Sequence, residues 1–280
     1  LAATYPVRGR DYDIDRVWRA AVAFLAERED WVREFLRSPP QTNEVGRSGV
    51  LAPGFLWLAA RAPQPFRMLE LGASAGLNSN WDRFRYTFRD SRQSDAVGPW
   101  IATEIDGDAP GWRDIRIVER RACDRAPIDP LDEGAAARLR SYIWPDQFER
   151  MDRLNAAIEV ARSAPVRVEQ AQAGEWLAQQ LPGGLGAGTT VIFHSIFLQY
   201  PSREEQERIA AAIEAAGSAA DAEHQLAWVC FEPEAVLGGP ADSTRILLRA
   251  RTWAGGPGVS TVLGEADPHG KRLRWLAGQD

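Results

Sequence analysis

The sequence predicts an α/β sandwich, a mostly parallel sheet with helices on both faces and an antiparallel C-terminal strand. Three observations carry that reading. Short apolar runs alternate with helical stretches from residue 66 onward. The first run, Phe66 to Leu71, carries the acid Glu70 near its end and feeds the small-residue turn Gly72-Ala73-Ser74-Ala75-Gly76. The tail changes period and reads as a hairpin. Two parts are expected: an N-terminal helical cap over residues 1–65, and an α/β unit over 66–280 with a β-meander inserted at about 83–118.

In order, Asp13 to Ser38 reads as an amphipathic helix broken near Glu29. Trp18, Ala21, Val22, Leu25, Val32, Phe35 and Leu36 fall at three- and four-residue spacings. Pro39-Pro40 ends it. Gln41-Thr42-Asn43-Glu44-Val45-Gly46-Arg47 is a polar linker, and an apolar helix follows around Pro53 to Ala62. After the glycine turn a short helix begins. Period-two alternation in Trp81 to Phe88, Trp100 to Ile105 and Asp114 to Val118 then gives the meander, with a turn at Asp106 to Gly111. Arg120 to Asp124 looks like a second nucleotide-fold strand ending in an acid. Pro145 to Arg162 is the clearest helix, with an apolar stripe of Phe148, Met151, Leu154 and Ile158. Val166 to Val168 is a strand, and a helix runs around Glu175 to Leu181. The loop Pro182 to Gly188 leads into the buried strand Thr189 to Phe193, which ends at His194-Ser195. Ser202-x-x-Glu205 is a capping box opening a helix to about Ala216. Leu226 to Phe231 is a strand ending at Glu232-Pro233. Ile246 to Trp253 and Val259 to Glu265 pair as a hairpin, and Arg272 to Leu276 closes the sheet.

The spacing Gly72-x-Ser74-x-Gly76 admits two chemistries. One is the loop that holds S-adenosylmethionine (SAM) in a methyltransferase, where small residues let the backbone approach a ligand and free N–H groups meet negative charge or lone pairs. The other is the nucleophile elbow of a serine hydrolase, with Ser74 attacking an acyl group. Glu232 or Asp267 followed by His269 supplies the triad order. However, Ser74 follows the first strand and no upstream loop offers an oxyanion hole. A third reading is a non-catalytic binding or scaffold protein of the same fold.

Bulk properties narrow the field. The chain has 280 residues and 45% hydrophobic content, enough for one large core. Its net charge of −6 disfavours a nucleic-acid partner, and no apolar run approaches a membrane span, which points to a small-molecule substrate. The first residues lack a signal pattern, and Cys123 and Cys230 sit in apolar runs. Free thiols and a cytoplasmic location are expected. His194, His224 and His269 are far apart in sequence with no Cys pair, so no metal site is expected unless His194, His269 and Glu232 converge in space.

Leu69 to Asn78, Trp81-Asp82-Arg83-x-Arg85-Tyr86, Phe193-His194-Ser195, Glu265-Ala266-Asp267-Pro268-His269-Gly270 and Gln41 to Arg47 resemble an uncharacterised bacterial family, domain of unknown function 2332. The resemblance covers nearly the whole chain and brings no established reaction with it. More distantly, the glycine turn, Asp124-x-x-Pro127 and Thr190 to Tyr200 resemble class I SAM-dependent methyltransferases. That resemblance implies a Rossmann-like, methyltransferase-type sandwich with SAM as cofactor. Gly72, Ser74 and Gly76 would pass the methionine part, Glu70 would order the turn, Ala73 and Asn78 would join the cofactor-binding set, and Asp124 would hold the ribose. Gln172 would stand against the adenine amine, where such enzymes often carry Asp. His194 would face the substrate as general base, with Glu232 orienting it or the substrate. Asn43, Glu44, Arg47, Tyr200 and His269 would line the substrate pocket, the 43–47 linker folding over the carboxyl ends of the strands.

Overall fold

The computed structural model describes residues 2–37, 40–87, 98–181 and 184–278. The helix end expected at Ser38 and Pro39, the strand residue Phe88, and Pro182 and Gly183 of the expected loop lie outside them, as does the 88–97 stretch of the expected insertion.

The sheet is built from strands whose alternate residues face two helical layers. β1 (Phe66–Leu71) points Phe66 and Met68 to one face, and Leu69 and Leu71 to the other. Beyond β1 on one side lie β5 (Ile117–Asp124) and β6 (Val168–Gln170). On the other lie β7 (Gly188–Ser195) and β8 (His224–Pro233). These five strands are parallel, in the order β6-β5-β1-β7-β8. The sheet then continues through β9 (Ile246–Trp253), β10 (Val259–Ala266) and β11 (Arg272–Trp275), each antiparallel to its neighbour. β4 (Glu104–Asp106) pairs parallel with β11 at the far edge. The hairpin and closing strand read from sequence are thus present, and β4 adds one parallel strand beyond them.

Helix α3 (Ser48–Ala59) packs on β8 and β9, and α5 (Phe148–Ser163) covers the same face. Helices α6 (Ala173–Gln180) and α7 (Arg203–Ser218) cover the other. α3 begins five residues before Pro53, so that proline lies inside it. Its apolar residues point all round, which suits a helix sunk in the core. Helix α4 (Glu133–Ser141), capped by the Asp132 carboxylate accepting from the Ala135 N–H, was not read from sequence and buries only Ala136 and Leu139.

Three expectations are corrected. No α-helix follows the glycine turn. Leu77–Arg83 is a 3₁₀ segment, because short polar side chains there leave the local helix pattern. The Ser79 hydroxyl donates to Glu70, the Asn78 amide to the Glu44 carbonyl, and the Asn80 amide to the Ala164 carbonyl. The insertion is not a meander. β2 (Arg85–Tyr86) and β3 (Trp100–Ile101) pair parallel as a separate two-stranded piece, and 114–116 lead directly into β5. Finally, α1 (Ile14–Glu27) and α2 (Glu29–Leu36) break where expected but bury no residue. Their apolar stripe faces solvent, with Trp18 66% and Leu36 71% exposed.

Candidate functional site

The strand order reverses between β1 and β7, the place where open α/β sheets take ligands. Gly72, Ser74 and Gly76 all have positive φ, of 64°, 55° and 68°. Ser74 is the unusual member, since a side chain in that region is strained. The turn is held by the Ala73 N–H on the Cys123 carbonyl (3.0 Å) and by the Ser74 N–H on the Asp124 carboxylate (2.8 Å). Gly72 tolerates no Cβ, because one would lie 2.1 Å from the Phe197 ring. That ring therefore covers the end of β1.

Asp124, at the end of β5, points back at the turn, as its position predicts. Its carboxylate accepts from Ser74, from the Ala126 N–H at 2.9 Å, and from the Gln41 side-chain amide at 2.8 Å. Gln41 belongs to the polar linker, which does fold over the carboxyl ends of the strands. The Gln41 carbonyl accepts from the Ser74 hydroxyl (3.3 Å), and the Asn43 carboxamide oxygen accepts from the Leu77 N–H (3.1 Å).

Further along the linker, the buried Glu44 carboxylate accepts from the Gly46 N–H and pairs with Arg150 of α5, with His269 Nδ1 at 3.5 Å. Arg47 donates to the Pro268 carbonyl (3.0 Å) and the Ser195 carbonyl (3.3 Å). Burial lowers its pKa, against the pull of Glu44, Glu232 and Tyr200. Gly46 lies so close to the β10–β11 turn that a Cβ would sit 2.5 Å from the His269 carbonyl oxygen. Glu44, Arg47 and His269 thus lie together. Tyr200 remains exposed, and Arg150 joins them unforeseen, because α5 read only as a core helix. A cavity of about 10 Å³, room for one water, lies among Thr42, Asn43, Glu44 and Arg150.

His194 departs from expectation. The register pairs His194 with Cys230, so Trp228 and Glu232, two residues either side, share its face. The Trp228 indole can only donate, and it donates to His194 Nε2 at 2.9 Å. The ring proton is therefore on Nδ1, which donates to Glu232 at 2.6 Å. His194 is fully buried and neither nitrogen is open to a second molecule. The same Glu232 oxygen accepts the Phe197 and Leu198 N–H groups and so shapes the turn that carries the Phe197 ring; its other oxygen has no hydrogen-bond partner.

Glu70 is buried at the end of β1. Burial pushes its carboxyl up from 4.5 to about 8, against the Ser79 hydrogen bond, with the Asp124 charge adding to the rise. Gln172 stands apart: it is exposed at the N-cap of α6 and its side chain makes no cap. Ser74 is nearly buried, and its hydroxyl donates to a carbonyl rather than to a histidine. Cys123 and Cys230 are buried free thiols. Among the described residues no three His, Cys, Asp or Glu side chains are grouped to hold a metal ion, and no helix is long and apolar enough to cross a membrane.

The family model described as an uncharacterized protein conserved in bacteria (DUF2332) matches residues 1–275. The chain belongs to the DUF2332 family. No match was found among curated proteins. In this DUF2332 chain, apart from His194, Glu232 and Gln172, the candidate residues fall into two groups at the carboxyl ends of the parallel strands. The first is the glycine turn with Asp124, Gln41 and Asn43. The second is the ionic cluster of Glu44, Arg47, Arg150 and His269.

Proposed function

We propose that this DUF2332 protein is a SAM-dependent methyltransferase of the Rossmann-like type, acting on a small molecule. The observation that carries the reading is Asp124. Its carboxylate ends the strand beside β1 and is aimed at a turn with three positive φ angles, where the strand order reverses. An acid so placed accepts hydrogen bonds from ribose hydroxyls. The order β6-β5-β1-β7-β8, followed by an antiparallel strand, agrees with the class I resemblance.

The donor and acceptor set fits an adenosyl ligand: Asp124 accepts, and the Leu77 N–H, now on Asn43, donates. The space is filled by Gln41, Asn43 and the Phe197 ring, so binding requires these groups to shift. When bound, SAM supplies an electrophilic methyl group. The chain's own contribution is alignment of the acceptor against it. In this reading the Arg47–Tyr200–His269 region would bind that acceptor. His194, sealed by Trp228 and Glu232, takes no proton here; it braces the 196–198 turn through Glu232. The acceptor is therefore a group that reacts without help from that histidine, such as a neutral amine.

The test is titration calorimetry with S-adenosylhomocysteine. Wild type gives a saturable heat, and Asp124→Asn weakens binding by about ten-fold or more, as loss of a charge-assisted hydrogen bond does. No heat at millimolar ligand removes the proposal. A second reading, a non-catalytic binding or scaffold protein of the same fold, is favoured by the enclosure of His194. Binding of S-adenosylhomocysteine with no consumption of SAM across amine, thiol and carboxylate nucleophiles would select it. A serine hydrolase using Ser74 has less support, since no described hydrogen bond joins Ser74 to a histidine; labelling of Ser74 by a phosphonate probe would revive it.

A further inference from the structure

We infer that residues 41–43 are an internal stand-in for the nucleoside, so that ligand and segment compete for the same hydrogen bonds. The inference rests on the nucleoside-site reading above. Gln41 contributes a donor to Asp124 Oδ1, the part a ribose hydroxyl would take. Its carbonyl takes the Ser74 hydroxyl. The Asn43 carboxamide oxygen takes the Leu77 N–H, an amide of the loop that would otherwise offer itself to a ligand lone pair or anionic oxygen. These bonds cross 33 or more positions of sequence. They do not fix any local element, and they are replaceable one for one.

Among the described residues, the segment is more loosely held than the chain that follows it. Thr42 is exposed, while Gln41 and Asn43 are half-buried and held by side-chain contacts. The next residue, Glu44, is buried and tied by Arg150 and the Gly46 N–H, and Gly46 is wedged against the His269 carbonyl. Motion therefore stops at Glu44. Release with no replacement would leave Asp124 and the Leu77 N–H without those partners, which keeps the segment closed. A ribonucleoside with a free diol and an acceptor oxygen satisfies both groups and opens it. The closed population reduces the apparent affinity by the fraction of open chains.

Calorimetry with S-adenosylhomocysteine on wild type and on Gln41→Ala/Asn43→Ala tests this. The double variant should bind more tightly, by about ten-fold if one chain in ten is open. A second readout uses wild type alone: limited proteolysis within residues 41–43, where Thr42 is exposed, should speed up on adding ligand. Equal or weaker binding by the variant, or cleavage at 41–43 that ligand leaves unchanged or slows, overturns the inference and leaves the nucleoside reading standing. No heat with either protein overturns both.

Discussion

Glu70 is a carboxyl group held without a counter-charge, and that has a measurable sign. Its pKa is raised from 4.5 to about 8 by burial. Below pH 4.5 both folded and unfolded chains carry the proton. Between about 4.5 and 8 only the folded chain does, so stability falls as pH rises, by about 1.4 kcal/mol per pH unit from this group. Glu70→Gln should remove that part of the pH dependence and be relatively more stable than wild type at pH 8 to 9 in thermal melts; an unchanged slope would show that Glu70 ionises freely. His194 gives a second residue-scale expectation. Trp228→Phe removes the donor to a buried ring nitrogen and should cost roughly 1–3 kcal/mol in urea unfolding. A cost near zero would show that the indole bond contributes little. The sequence pointed to His194 and Glu232 as neighbours at strand ends, correctly. It did not show the Trp228 bond, because that depends on a register of β7 against β8 that no local pattern encodes.

At the scale of elements, the glycine turn is the most constrained piece. Gly72→Ala puts a side chain at φ 64° and into the Phe197 ring, so it should destabilise the fold by about 2–4 kcal/mol. Phe197→Leu in the same background should recover part of that, and denaturant midpoints measure both. If Gly72→Ala is neutral, the ring does not sit where described. Apolar runs in β1, β7 and β8 were legible, since a buried parallel strand is a continuous hydrophobic stretch. The meander was misread for a physical reason: alternation marks an extended chain but not its partner, and β4 finds its partner at β11, 168 positions from Glu104 to Arg272. The helix expected after Gly76 failed because Asn78, Ser79 and Asn80 bond elsewhere.

For the whole molecule, the helical cap is not one body. α3 is core, while α1 and α2 bury nothing; residues 1–36 touch the rest through contacts such as Arg8, ahead of α1, with Asp152, and Phe35 of α2 under Arg138. Deleting residues 1–36 should therefore shift Tm by no more than about 4 °C, the equivalent of roughly 1 kcal/mol in a domain this size. A larger loss would mean that the exposed apolar stripe has a partner within the chain. The linker was legible as polar and pocket-facing; its occupation of Asp124 was not, because nothing local ties Gln41 to a residue 83 positions away. The most direct measurement is a crystal structure grown with millimolar S-adenosylhomocysteine. The ribose should lie within hydrogen-bond distance of the Asp124 carboxylate, with Gln41 moved off it. Crystals at that concentration with Gln41 still on Asp124, and the ligand absent or bound elsewhere, would contradict the nucleoside site.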